Sequence, residues 1–164
     1  MKCTLIRCPQ TLNIYVSAAY AVPPIGLCYV AGALRKAGHD VSAIDPTGEG
    51  IERLIPIDET GQTVRRGLTD EEIIDRIPAD AELIGFSLMF SQDWLQARAL
   101  INAVRERFPR AILVAGGEHF AAEPEGAITT SGLDYVLVGE GDRVICDLVE
   151  YVRLPDHRDL HGCP

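Results

Sequence analysis

Four short segments of this 164-residue chain are built from residue types that let a ligand lie close to the main chain. Cys8-Pro9-Gln10 opens a long excursion that ends in Pro23-Pro24-Ile25-Gly26, and Ser87-Leu88-Met89-Phe90-Ser91 is the second segment. Gly116-Gly117-Glu118-His119 and Gly139-Glu140-Gly141 are the third and fourth. Paired glycines remove the Cβ atoms that would hold a flat or bulky group away from the backbone. The serine hydroxyls, Gln10, Glu118, His119 and Glu140 supply donors and acceptors, and Leu88, Met89 and Phe90 supply an apolar wall. The chemistry such a set can do is binding; it contains no nucleophile paired with a base and no metal-ligand spacing. Either glycine pair taken alone is equally what a tight strand-to-helix turn needs. The four segments carry weight because they fall at equivalent places in the element pattern.

That pattern alternates strands and helices. Apolar, β-branched runs at Thr4-Leu5-Ile6, Asp40 to Asp45, Leu83 to Ser87, Ala111 to Ala115 and Tyr135 to Val138 read as five strands. Helical periodicity covers Leu27 to Ala37, closed by Gly38, and Trp94 to Phe108, stopped by Pro109. Shorter helices are expected over Pro124 to Thr130 and Val144 to Val152. Alternation of this kind requires right-handed crossovers and a parallel sheet. The expected fold is a single α/β, doubly wound (flavodoxin-like or Rossmann-like) domain with five parallel strands in the order 2-1-3-4-5. Its ligands bind beyond the carboxyl ends of the strands, where all four segments end. Residues 1–153 form the domain. Pro46 to Gly67, rich in Gly, Thr and charge, reads as a surface insertion after the second strand (about residues 46–69). Thr69-Asp70-Glu71-Glu72 then starts a short helix with a capping box. Residues 154–164 read as a linker or tail.

Bulk properties narrow the function. With a net charge of −9 and only two lysines, Lys2 and Lys36, the chain lacks the clustered cations that phosphates need. Neither nucleic acid nor an acidic membrane surface is expected as a partner, and no apolar run reaches the length of a membrane span. The five scattered cysteines point to free thiols in a reducing cytoplasm. A phosphorelay receiver would carry an acid where Ser87 ends the third strand and a lysine beyond Lys36, and neither exists. The third glycine of a dinucleotide fingerprint is missing from both Gly48-Glu49-Gly50 and Gly139-Glu140-Gly141. A flavin electron-transfer module stays open, although the segment from Pro9 to Ile14 offers only Thr11 to wrap a phosphate.

Taken in order, several runs resemble the B12-binding domains of cobalamin-dependent radical SAM enzymes. They are Pro23-Pro24-Ile25-Gly26-Leu27, Leu34 through Val41 ending at Asp45, Ile84-Gly85-Phe86-Ser87, Pro109 through His119, Pro124-Glu125, and Asp134 through Gly141. The resemblance covers about residues 3–152. It implies that the cofactor is cobalamin, as hydroxo- or methylcobalamin, with its nucleotide tail between the sheet and a helix and the corrin above the strand ends. It implies that Ser87 lies beside the dimethylbenzimidazole of that tail, with Leu88 and Met89 in the S-x-L pattern. Gly116 and Gly117, with Ala31, Gly32 and Ala33, would clear room for the tail. Pro9, Gln10, Pro24, Gly26, Phe90, Ser91, Glu118, Gly139, Glu140 and Gly141 would line the rest of the site. The D-x-H-x-x-G run of methyltransferase and mutase carriers is absent, since Pro9-Gln10-Thr11-Leu12-Asn13 holds no histidine. Cobalt is therefore expected base-off, its lower face meeting Gln10, Asn13, Tyr15 or a water. His119 is expected at a corrin amide or in solvent rather than on cobalt. Glu140 is expected to cap the next helix or meet the corrin rim. No C-x-x-x-C-x-x-C occurs, so S-adenosylmethionine and a 4Fe–4S cluster would belong to a radical SAM domain or partner elsewhere. A carrier or sensor without catalysis is the other cobalamin reading.

Overall fold

Aliphatic runs buried on both faces become the strands of a parallel sheet, as such sheets require. The computed structural model describes residues 1–15 and 22–154. In chain order the elements are β1 (Lys2–Arg7), β2 (Gln10–Asn13), α1 (Ile25–Lys36), β3 (Asp40–Ile44), α2 (Pro46–Glu49), β4 (Leu54–Pro56), β5 (Thr63–Arg66) and α3 (Asp70–Ile74). They continue with β6 (Leu83–Ser87), a single turn of 3-10 helix (Ser91–Asp93), α4 (Trp94–Arg107), β7 (Ile112–Gly116), α5 (Glu118–Ala122), α6 (Pro124–Thr130), β8 (Tyr135–Leu137) and α7 (Gly141–Tyr151). The main sheet has five parallel strands ordered β3-β1-β6-β7-β8. Counting only these strands, this is the 2-1-3-4-5 order that the alternation predicts.

Strand pleating sends successive side chains to opposite faces, and the two faces carry separate cores. Ile84, Phe86 and Leu88 point to the core shared with α3, α4, α5 and α6, among Ile73, Leu100, Ile101, Val104, Phe120 and Ala127. Leu5, Leu83 and Val114 point to the core shared with α1 and α7, among Leu27, Ala31, Leu34, Ile145, Leu148 and Val149.

The stretch from 46 to 69 is not a loose insertion. It supplies α2, β4 and β5, and the last two join β2 in a three-stranded antiparallel sheet ordered β2-β5-β4. The segment after the first strand, expected as a loop, is thus a strand: Gln10 pairs with Arg66 and Thr11 with Arg65. Asp93 secures this small sheet to the domain, its Oδ1 accepting from the Thr11 amide at 2.8 Å and the Thr11 hydroxyl at 2.5 Å. Tertiary pairing outweighed the polar composition that marked both segments as loops. The capping box is present, with Thr69 Oγ1 accepting from the Glu72 amide and Glu72 Oε2 from the Thr69 amide. The last helix begins at Gly141 rather than Val144, because the amides of Arg143 and Val144 already bond back to the Glu140 carbonyl. Most of the expected tail, with His157, His161 and Cys163, lies outside the described residues. Among the described residues no helix is long and apolar enough to cross a membrane.

Candidate functional site

A cavity of about 410 Å³ opens at the carboxyl end of the main sheet, on the face covered by α1 and α7. Its floor is Leu5 of β1, Gly85 and Ser87 of β6, Val114 and Gly116 of β7, and Leu137 of β8. One wall is the start of α1, from Gly26 to Val30, and the other is Gly141, Asp142 and Ile145 of α7. The volume lies within the range of small-ligand pockets. Its interior is aliphatic, and its charged lining residues are Glu140 and Asp142, with no lysine, arginine or histidine.

Gly85 sits mid-strand between larger neighbours. A Cβ there would lie 2.8 Å from Leu5 Cδ2 and 3.6 Å from Val114 Cγ1, so the Leu5 side chain leans over the bare glycine and would have to turn aside for any larger residue. Gly116, one strand over and paired with Ser87, continues the cleared strip. Ser87 is half-buried, and its hydroxyl makes no hydrogen bond among the described residues, so it is free to meet a ligand. Gly117 is a different case. Its φ of +113° is left-handed, and a Cβ would run into the Leu88 carbonyl oxygen. The turn itself requires this glycine, whether or not a ligand is present.

The structure brings together seven of the expected site residues, Gly26, Ser87, Gly116, Gly117, Gly139, Glu140 and Gly141, as cavity lining. Pro24 stands at the N-cap of α1, outside the lining. Met89 (64% exposed) and Phe90 (51% exposed) follow β6 as an exposed apolar rim of the strand ends, and they, like the exposed Ser91 and Glu118 beyond them, lie outside the cavity lining. Leu88 is a correction: pleating turns its side chain into the α4 core. Pro9 is buried, and Gln10 belongs to the small sheet with its Oε1 buried, so neither lines the cavity. Asn13 Oδ1 accepts from the Tyr15 amide at 2.9 Å, while the Tyr15 side chain is exposed. Of the three small residues in the first helix only Ala31 is buried, and Gly32 faces solvent. Glu140 occupies the N-cap position of α7, but its side chain makes no capping bond.

His119 is the larger correction. It is 6% exposed, neither in solvent nor on the cavity wall. Its ring packs on Trp94 and Phe120, with centroids 4.9 and 5.3 Å away, and Nδ1 lies 2.9 Å from Ser91 Oγ. Burial pushes its pKa below the ordinary histidine value, so the imidazole is neutral at pH 7. Among the described residues no group of three or more His, Cys, Asp or Glu side chains is gathered to hold a metal ion.

Residues not singled out from the sequence complete the cavity: Leu5, Tyr29, Val30, Val114, Asp142 and Ile145. Gly85 joins them, a lone glycine inside a strand being itself a signal of close approach. Arg7 also acts here. Its Nη1 donates to Asp45 Oδ1 at 3.3 Å and to the Val22 carbonyl at 2.9 Å, anchoring the chain where it returns to start α1.

This slot between a parallel sheet and two helices opens at the carboxyl ends of the strands, where open parallel sheets receive their ligands. The family described as B12 binding domain matches residues 13–149. The chain belongs to that family. It is 29% identical over 130 residues to the cytidylyl-2-hydroxyethylphosphonate methyltransferase of Streptomyces wedmorensis, spanning 79% of this chain and 24% of that protein. It is 32% identical over 151 residues to the anaerobic magnesium-protoporphyrin IX monomethyl ester cyclase of Synechocystis sp., spanning 85% of this chain and 25% of that protein. The chain thus spans about a quarter of the length of the curated relatives it matches. Among solved structures it is similar to NtrX from Brucella abortus, with a TM-score of 0.50 at 18% identity over 96% of this chain and 27% of that one, a likeness of fold alone. The B12-binding domain is therefore a cobalamin-binding module, and the cavity is where its cofactor is to be sought.

Proposed function

We propose that this B12-binding domain holds cobalamin with the nucleotide tail in the slot between the sheet, α1 and α7, and with the corrin across the carboxyl strand ends. Cobalt is base-off, with no protein imidazole beneath it, and the open face is presented to a radical SAM catalytic domain or partner in the cytoplasm. The observation that carries this reading is the slot floor. Gly116 omits a side chain that would point into it, Gly85 leaves its place to the Leu5 side chain, and the unpaired Ser87 hydroxyl stands beside the opening. In that pose Ser87 donates to a ring nitrogen of the tail, Leu5, Val30 and Ile145 enclose its apolar faces, and Met89 and Phe90 shield the edge of the corrin from water. When bound, cobalamin supplies a cobalt centre able to carry a methyl group or exchange electrons.

Histidine placement supports a cobalt without a protein imidazole, and a tail lying in the slot is what leaves it base-off. Among the described residues His39 lies near the amino terminus, 3.3 Å from the Met1 amine, and His119 is buried beside Trp94. The names of the relatives, a methyltransferase and a cyclase each about four times as long as the matched segment, support a separate catalytic domain and methyl transfer or related radical chemistry. The flavin alternative loses ground on geometry, since the segment after β1 that would have to wrap a flavin phosphate is strand β2, paired with β5.

The test is reconstitution. The purified chain incubated with hydroxocobalamin and desalted retains one equivalent of corrin with a base-off visible spectrum. Retention of flavin mononucleotide in place of corrin would overturn the reading.

A further inference from the structure

Two loops at the carboxyl end of the sheet are laced together. The Leu88 amide donates to the Gly116 carbonyl at 3.1 Å, and the His119 amide donates to the Leu88 carbonyl at 3.4 Å. The third link is the side-chain bond between His119 Nδ1 and Ser91 Oγ at 2.9 Å. Between the tied positions stand Met89 and Phe90, both exposed just past the carboxyl end of β6. The ring that makes the third link lies against Trp94, which in turn meets Phe120 edge-on at 5.7 Å.

Stability does not account for an imidazole at this position. Nε2 of His119 is buried with no hydrogen-bond partner, so folding strips water from that nitrogen without replacement. A phenyl ring would fill the same aromatic contacts with Trp94 and Phe120 and leave no orphaned polar atom. What the imidazole does and a phenyl ring cannot is hold the hydroxyl of Ser91, an exposed residue at the far end of the Met89–Phe90 rim. Local rules are broken where a site is being positioned rather than where a core is being packed.

We propose that His119 is a positioning residue for the cofactor. Acting through Ser91, it fixes the Met89–Phe90 rim at the height that receives the bound corrin, without itself touching the ligand. This inference rests on the cobalamin reading above.

Four variants in the full chain test it: H119F, S91A, H119F/S91A and S91T. Without cofactor, H119F unfolds at the same or a higher temperature than wild type, and deuterium exchange at the Leu88 and His119 amides quickens in both H119F and S91A. On titration with hydroxocobalamin, each single variant binds about fivefold more weakly, the equivalent of one lost hydrogen bond. The double variant is no weaker than either single one, because both remove the same link. S91T, which keeps the hydroxyl, binds like wild type. Wild-type affinity in S91A, or additive losses in the double variant, would overturn the positioning role while leaving cobalamin binding intact. Failure of the wild-type chain itself to retain corrin would overturn both. S91A alters an exposed side chain and folds irrespective of how H119F behaves.

Discussion

Gly116→Leu separates the needs of the ligand from those of the fold. Gly116 is half-buried in β7, and a Cβ there would meet Leu137 Cβ at 3.6 Å and its carbonyl oxygen at 3.9 Å, which are ordinary contacts. The backbone therefore tolerates a side chain, and pleating aims it to the same face as Val114, into the cavity. The four carbons of a leucine side chain occupy on the order of 100 Å³, taking about 25–30 Å³ per heavy atom by comparison with water. That is about a quarter of the 410 Å³ cavity. Apolar atoms entering an aliphatic cavity leave apo stability within about 1 kcal/mol, since better strand propensity offsets mild crowding. A group competing for the same space loses at least roughly 100-fold in affinity, about 2.7 kcal/mol. The assay pairs thermal unfolding of the apo chain with hydroxocobalamin titration by corrin absorbance, and Gly116→Ala gives an intermediate loss. Gly117→Ala is the contrasting control. Its positive φ and the Leu88 carbonyl in its path destabilise the apo chain by about 2 kcal/mol or more, so its loss of binding says nothing about the slot. If Gly116→Leu folds and binds within threefold of wild type, the tail does not lie over β7 and the placement is wrong.

Ser87→Ala removes the serine hydroxyl offered to the tail, and titration should show a roughly two- to tenfold weaker affinity with unchanged apo stability. Burial raises the Asp93 carboxyl pKa, against the opposing bonds from Thr11. Asp93→Asn keeps an acceptor for both bonds and sheds the buried charge, so urea unfolding at pH 7 should find it at least as stable as wild type, an advantage that shrinks as acid protonates the wild-type carboxyl. Asp93→Ala strands the Thr11 donors and costs about 2–3 kcal/mol. Below about pH 6.5 the unfolded chain takes up a proton that buried His119 resists, so the stability due to its neutrality is lost as pH falls from 7.5 towards 5.5. Urea midpoints at the two pH values should fall less in H119F than in wild type, and equal slopes would contradict the burial of the ring.

Much of this fold is legible in the sequence because the main-sheet strands are short aliphatic runs with helices between them. The small antiparallel sheet was not, and the reason is physical. Gln10–Asn13 and Thr63–Arg66 are polar, and only their pairing with each other, 54 positions apart in the case of Thr11 and Arg65, makes them strands. Local propensity carries no information about such a partner. The site is legible at its glycines and misleading at its neighbours. Ser87-Leu88 and Gly116 through His119 read as continuous stretches of site, yet Ser87 and Gly116 face the cavity while Leu88 and His119 are spent on the opposite core. The period of two along β6 already separates Ser87 from Leu88. The turn into α5 that buries His119 beside Trp94 depends on contacts with a helix that starts more than twenty residues earlier.

The slot also explains itself through connectivity. Right-handed crossovers put every helix that links strands toward β8 on one face, and α3, α4 and α6 pack there together. The crossover from β1 to β3 runs the other way, which places α1 on the opposite face. The last helix follows β8 and returns to no strand of the main sheet, so no crossover rule binds it, and α7 packs beside α1. Two helices then cover five strands on that face, and the uncovered ground lies at the strand ends above Gly85. A side chain at 85 would displace the Leu5 side chain, while Val114, at 3.6 Å, would be an ordinary contact. The slot thus joins a thinly covered face, which connectivity sets, to a bare Gly116 at the strand end, and the glycine alone is written in the local sequence.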